Sequence, residues 1–253
     1  MKVVAAWKKE GLTPFQLVQL IKQDNKYKDK KIGFAGRLDP MAEGIMLFLI
    51  DEENKKRKAY EKLPKSYEFE VLFGVNTDTY DILGIPKLIK SRNTNFDSIA
   101  NNLIGKHMQK YPPFSSPRIH GKALHWWARN NKLHEIEIPK KEIEIYSCKF
   151  LGVREVTFIK ILKENKRRIR KIRGDFRQEE ILNAWEQLYS QNRNSNFTIA
   201  KFKIRCKGGT YVRSMANSIG GIAYKIVRTA VGSYDKNSVV LISEDETAKN
   251  KIS

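Results

Sequence analysis

The sequence predicts a fold that mixes helices and strands. Segments with strand character, such as Lys65–Phe73 (KSYEFEVLF), alternate along the chain with segments carrying a helical stripe, such as Pro14–Asp24. At 253 residues, 41% hydrophobic and 30% charged, the chain can bury a full core in one large or two smaller domains.

Composition narrows the class. No run approaches the ~18 apolar residues of a membrane span, and MKVVAAWKKEG is too short in its apolar part for a signal peptide. Cys148 and Cys206 lack CxxC spacing, and the four histidines (107, 120, 125, 134) form no HExxH motif. No metal site is therefore expected. The expected compartment is the cytoplasm, with both thiols reduced and uninvolved. The formal net charge of +20 costs self-repulsion that a polyanion relieves, nucleic acid first and anionic membrane second. The basic residues are spread along the chain, which favours a charged surface on a folded body.

In chain order, Val3–Trp7 reads as a strand and Pro14–Asp24 as a helix, with Thr13 as N-cap and Pro14 at the first helical position. Phe15, Leu17, Val18 and Ile21 form its apolar stripe. KYKDKK at 26–31 reads as a solvated loop or a nucleic-acid contact. Gly44–Ile50 is a buried segment, strand or helix, and 51–62 has a helical pattern. In Lys65–Phe73, Tyr67, Phe69 and Val71 share one face. GVNTDTYDILG at 74–84 suits a polar turn network of Thr77, Asp78, Thr79 and Asp81.

Phe96–Leu103 reads as a short helix. Gln109–Arg129 is proline-rich and extended at first, then helical from about Lys122. Its basic groups alternate with aromatics, an arrangement that suits single-stranded or looped RNA; a protruding loop whose helix buries its tryptophans has the same pattern. Glu135–Ile138, Glu142–Phe150 and Val156–Leu162 read as strands. Lys160–Arg173 holds eight basic residues and one acid, read as a strand–turn–strand: a phosphate-contacting strip or a solvated hairpin. Asp175–Leu188 reads as a helix with Ile181, Leu182, Trp185 and Leu188 on one face, and Phe197–Cys206 as a strand. In CKGGTYVRSMANSIGG (206–221), a helix-like segment from Thr210 gathers Tyr211, Met215 and Ala216. Arg213 among these small and apolar residues is either exposed or the buried partner of a carboxylate.

The densest motif is IGFAGRLDPMAEG, 32–44. Glycines and Pro40 surround Arg37 and Asp39, and Pro40 biases Asp39 away from the α region. A carboxylate on so irregular a backbone serves as nucleophile or base, or as a turn aspartate capping a short helix.

Five blocks together resemble the TruB family of tRNA pseudouridine synthases, which act on the TψC loop. They are GFAGRLDPMAEG (33–44), KSY with TDTYDILG (65–67, 77–84), PPFSSPRIHGKALHWWAR (112–129), GTYVRSMANSIG (209–220) and RTAVGSY (228–234). They stand in the family's order and span much of the chain. The resemblance implies the α+β pseudouridine-synthase fold: a mixed, mostly antiparallel sheet flanked by helices, with an active cleft across its middle. It implies a catalytic domain over 1–245, a thumb-like insertion at 106–130 projecting as a lid, and a flexible tail at 246–253. It makes Asp39 the catalytic aspartate, Tyr67 the tyrosine that stacks on the target base, and Arg213 the arginine paired with the aspartate. Phe34, Gly36, Arg37, Arg118, His120, Lys122, Lys207 and Tyr211 are then substrate contacts, with Arg167, Arg168, Arg170 and Lys171 on the basic strip. The implied partner is the TψC stem-loop of tRNA, bound by a monomer without metal or organic cofactor.

The chain departs from the family pattern at several points. Phe34 stands where the family usually has histidine, KKEGLTP (8–14) replaces KPxGxTS, Arg118 replaces a lysine and His125 an aromatic residue. No room is expected for a C-terminal RNA-binding domain of the PUA type, and residues 150–200 form a longer, more basic insertion than usual. These departures keep two other readings open: a catalytically idle RNA-binding or tRNA-folding protein, and a synthase for another uridine.

Overall fold

The computed structural model describes residues 2–90 and 95–240; the tail expected at 246–253 lies outside the described residues. The chain opens with strand β1 (Val3–Lys8) and helix α1 (Pro14–Ile21). Thr13 and Gln16 close a reciprocal capping box, the side chain of each accepting from the other's backbone N–H. Strands β2 (Ile32–Ala35) and β3 (Ala42–Ile50) flank the Asp39 loop. A 3-10 turn at Asp51–Lys56 leads into α2 (Arg57–Lys62), then β4 (Lys65–Phe73). A hairpin of β5 (Val75–Thr77) and β6 (Pro86–Leu88) precedes α3 (Phe96–Asn102) and β7 (Gly105–Lys110). The small hairpin β8 (Arg118–Ile119) and β9 (Lys122–Ala123) runs into α4 (Leu124–Arg129). The long β10 (Lys140–Thr157) is followed by α5 (Phe158–Ile169), α6 (Gln178–Gln191), β11 (Asn196–Cys206), α7 (Val212–Ser218), β12 (Gly221–Val231) and β13 (Val239–Val240).

Among the described residues, nine strands form one sheet in the order β13-β1-β3-β12-β4-β11-β10-β7, with β2 paired to β3. The β1–β13 and β3–β12 pairs are parallel and the rest antiparallel, as the α+β class with a mixed, mostly antiparallel sheet requires. Alternation puts Tyr67, Phe69, Val71 and Phe73 of central β4 on one face, with Leu17, Val18 and Ile21 of α1 and Val212 and Met215 of α7. The opposite face carries α5 and α6, whose Phe158, Ile161, Ile181 and Trp185 pack on Leu72, Ile199, Ile222 and Tyr224.

Five expectations are corrected. The run from Lys160 is helical: Phe158, Ile161, Leu162, Ile169 and Ile172 recur at helical spacing and are buried, a 3.6-residue period that wins over the strand propensity of Val156–Ile161. The segments 142–150 and 156–157 belong to one strand, β10, kept continuous by irregularities between 145 and 147 and between 150 and 152. Glu135 falls in a 3-10 turn. Helix α6 begins at 178 because Arg177 is left-handed (φ 61°) and Asp175 accepts from the Arg177 N–H. Residues 106–110, expected in the projecting lid, are instead an edge strand paired with β10.

One consequence reaches the basic strip. Arg168, expected on phosphate, is buried, and its Nε and Nη2 donate to Glu10 at 2.9 and 2.7 Å. Removing one partner of a buried ion pair strands the other, at a typical cost of ~3–5 kcal/mol. Arg168→Ala should therefore lower the denaturant midpoint, while an Arg170→Ala, Lys171→Ala variant, altering two exposed residues, should leave it unchanged. Equal midpoints would contradict this assignment.

Candidate active site

The Asp39 loop is held by two buried cations. Lys8, fully buried, donates to the Ala42 carbonyl at 2.6 Å and to that of Pro40 at 3.4 Å. Arg228 donates to the carbonyls of Ile45 (2.6 Å), Gly36 (3.0 Å) and Arg37 (3.5 Å). The Gly11 N–H donates to Pro40 O. Two glycines make this packing possible: Gly36 turns at φ +73°, and a Cβ on Gly44 would sit on the Arg228 backbone. Leu38 and Met41 anchor the loop in the core, which leaves Asp39 facing the cleft.

Arg213, on the first turn of α7, is 3% exposed. Its Nε and Nη2 donate to the two carboxylate oxygens of Asp39 at 2.8 and 2.9 Å, the side-on fork that guanidinium geometry favours. Nη1 donates to Thr79 O at 2.7 Å and Nη2 also to Phe114 O at 3.1 Å. Asp81 lies 3.7 Å from Nε and accepts from Thr79 Oγ1 and the Leu83 N–H. Burial pushes the Asp81 carboxyl up to about 6 against the pull of Arg213. Burial also works against the Arg213 charge, and the carboxylates of Asp39 and Asp81 outweigh it, so the guanidinium stays ionised.

Asp39, Tyr67 and Arg213 line one cleft of about 750 Å³ together with Phe34, Gly36, Arg37 and Tyr211. Tyr67 is buried beside its cross-strand partner Arg228, and burial raises its hydroxyl pKa. Phe34 stands edge-on to Phe48, with the guanidinium groups of Arg37 and Arg57 near its ring. Tyr211 exchanges backbone hydrogen bonds with the Gln109 side chain. Arg118, His120 and Lys122 lie outside the cleft on the β8–β9 hairpin, where Lys122 sits 3.7 Å over Trp126 and His120 meets Trp127 edge-on. Trp127 is buried and Trp126 half-buried, so the helix partly buries its tryptophans as well. Lys207 faces Glu142 at 3.8 Å, away from the cleft. Arg167, Arg170 and Lys171 are exposed on or just beyond α5.

Lys8, Lys65, Asp81, Arg228, Phe176 and Arg177 are site residues that sequence reasoning missed. The signal for Asp81 was present in the TDTYD run; Lys8 and Lys65 open the KKEGLTP and KSY blocks, but nothing in those blocks points to their burial, since lysine is ordinarily exposed. Among the described residues, no three His, Cys, Asp or Glu side chains gather as metal ligands would, and no helix is long and apolar enough to cross a membrane.

Burial holds the ammonium groups of Lys8 and Lys65 down to about 8, against ~10.4 in an unfolded chain. Between those values the unfolded chain binds more protons, so stability rises with pH. The thiols of half-buried Cys148 and buried Cys206, raised to about 11, act in the opposite sense from about pH 8.5 upward. In a Cys148→Ala, Cys206→Ala variant, urea unfolding should therefore show stability rising from about pH 8 to 9.5. A flat profile would mean that both ammonium groups are solvated.

The architecture is that of pseudouridine synthases. The chain superposes on one chain of a Cbf5–Nop10–Gar1 complex with TM-score 0.56 at 14% identity, over 95% of this chain and 52% of that one. It also superposes on one of an H/ACA RNP bound to a substrate RNA containing 2'-deoxyuridine, with TM-score 0.55 over 99% and 55%. The model of the N-terminal domain of TruB family pseudouridylate synthases matches residues 24–165, and the chain belongs to that family. It is 33% identical to tRNA pseudouridine synthase B of Aquifex aeolicus over 57% of this chain and 50% of the relative. With the same enzyme of Lactobacillus gasseri it shares 32% over 83% and 62%. The chain thus spans half to just under two thirds of these two relatives.

Proposed function

We propose that this protein is a tRNA pseudouridine synthase that isomerises uridine 55 in the TψC loop. The observation that carries this reading is the Asp39–Arg213 fork: a carboxylate 37% exposed to the cleft, held by a guanidinium 4% exposed. A binding surface has no need of a buried arginine aimed at one acid. In the reaction the target nucleotide leaves the loop stack. The Asp39 carboxylate attacks ribose C1′ as the N1–C1′ bond breaks, and the electron pair stays on the uracil. The uracil turns within the cleft, C5 attacks C1′ and displaces the carboxylate, and the C5 proton is lost while N1 gains one. Arg213 keeps Asp39 ionised and aimed. Tyr67 stacks on the turning base.

Arg118, His120, Lys122, Lys207, Arg170 and Lys171 fit contacts to the RNA backbone, which position the substrate without reading its sequence. The monomeric TψC stem-loop binder is the expected form. Incubating the purified protein with an unmodified tRNA transcript, then mapping carbodiimide-dependent reverse-transcription stops, tests the reading. A single new stop at position 55 is expected. No stop would favour an idle RNA binder, and a stop elsewhere a synthase for another uridine.

A further inference from the structure

The connection between α5 and α6 reaches across the molecule to the cleft, which Phe176 and Arg177 line beside Phe114 and Arg129. This connection belongs to the 150–200 insertion and lies beyond the matched residues 24–165. Its geometry is specified in detail. Gln178 accepts from the Phe176 N–H at 2.9 Å and donates to Gly174 O and Ile172 O. Arg177 holds φ +61°, a left-handed conformation uncommon for a long side chain. Such backbone persists where the surroundings impose it, and it clusters at ligand-binding sites. The Arg177 Nη2 donates to Asp78 Oδ2 at 2.8 Å, and its guanidinium carbon lies 4.5 Å from the Phe114 ring centroid. Arg129 donates to Asp175 O at 2.7 Å, bringing a second guanidinium to the same rim.

Phe176 packs one edge on the apolar cluster under α5 and α6 and turns part of its ring to the cleft. The rim thus pairs an aromatic face with two guanidinium groups. That combination matches one unpaired nucleotide, its base stacked on the ring and its phosphate against the cations. On the synthase reading above, we propose that Phe176, Arg177 and Arg129 form a subsite for a nucleotide adjoining the flipped uridine. The inserted α5–α6 hairpin is then part of the RNA-binding cleft.

The test uses a fluorescein-labelled TψC stem-loop and the full chain carrying Phe176→Leu or Arg177→Gln. Leucine retains the apolar packing and removes the aromatic face; thermal melts of both variants establish that they fold. Base–aromatic stacking predicts a Kd weaker by ~fivefold or more for Phe176→Leu. Arg177→Gln should weaken binding and flatten its log–log salt slope by about 0.7, the value for one phosphate of a single strand. Stem-loops made abasic on the 5′ or the 3′ side of the target then close a mutant cycle. The Phe176→Leu penalty should vanish with one of them. A penalty that persists with both, or an unchanged Kd in both variants, overturns the subsite. So does an Arg177→Gln variant that loses rate at saturating RNA with Kd unchanged, because Arg177 would then only brace the Asp78 turn. Wild-type turnover is scored separately: binding without pseudouridine defeats the synthase reading and leaves the subsite comparison decisive.

Discussion

Asp39→Asn should leave no measurable pseudouridine while RNA affinity stays within about tenfold, or 1.4 kcal/mol, of the wild type. The amide matches the carboxylate in shape but is neutral and a poor nucleophile. It also places an N–H₂ group against one of the donors that Arg213 aims at the carboxylate oxygens, at Nε or at Nη2. Arg213 would keep its hydrogen bonds to Thr79 O and Phe114 O, so the cleft should retain its shape. Affinity should survive because the proposed binding groups lie elsewhere: on the β8–β9 hairpin, on the exposed side of α5 and at the Phe176–Arg177 rim. Single-turnover measurement of pseudouridine at saturating tRNA, beside a binding titration of the same preparation, checks both halves. Pseudouridine at the wild-type rate would remove Asp39 from the chemistry. A large loss of affinity would make it a binding residue.

How much was legible in the sequence depended on the range of the interactions. Local rules placed the start of α1, because Thr13 as cap and Pro14 at the first helical position mark a helix N-terminus in two adjacent residues. The alternation in 65–73 placed β4 and set Tyr67 on its buried face. An arginine among small and apolar residues left exposure and a buried carboxylate partner both open, and only the family resemblance paired Arg213 with Asp39, the pair that the structure forms. Helix α5 was harder to read. Its buried face includes Asn165 and Arg168, so polar residues interrupt the apolar stripe, and the Arg168 partner, Glu10, lies 158 positions away. The Phe176–Arg177 rim was illegible for the same reason. Nothing local ties Arg177 to Asp78, 99 residues earlier, or to the Phe114 ring.

Arg213→Lys should fold and bind RNA yet lose ~10²–10³ in the rate at saturating substrate, the usual effect of removing one preorganised donor. Lysine keeps the charge but brings a single rotatable ammonium on a flexible stem. It cannot fork onto Asp39 and also reach Thr79 O and Phe114 O, as the guanidinium does. Arg213→Met should be worse in stability, by ~3–5 kcal/mol, because it leaves buried Asp81 beside Asp39 with no cation. The Asp81 carboxyl is already raised to about 6 with Arg213 present, and losing the guanidinium must raise it further. A carboxyl whose folded pKa exceeds its unfolded value contributes stability that is fully present at low pH and lost as pH rises through the folded pKa. The deficit of Arg213→Met against the wild type should therefore narrow as pH falls from 8 towards 6, and a second substitution, Asp81→Asn, should recover part of it at pH 8. Urea unfolding of the wild type, Arg213→Met and the double variant at both pH values decides the matter. A deficit independent of pH and untouched by Asp81→Asn would mean that Arg213 stabilises the fold through its backbone hydrogen bonds alone.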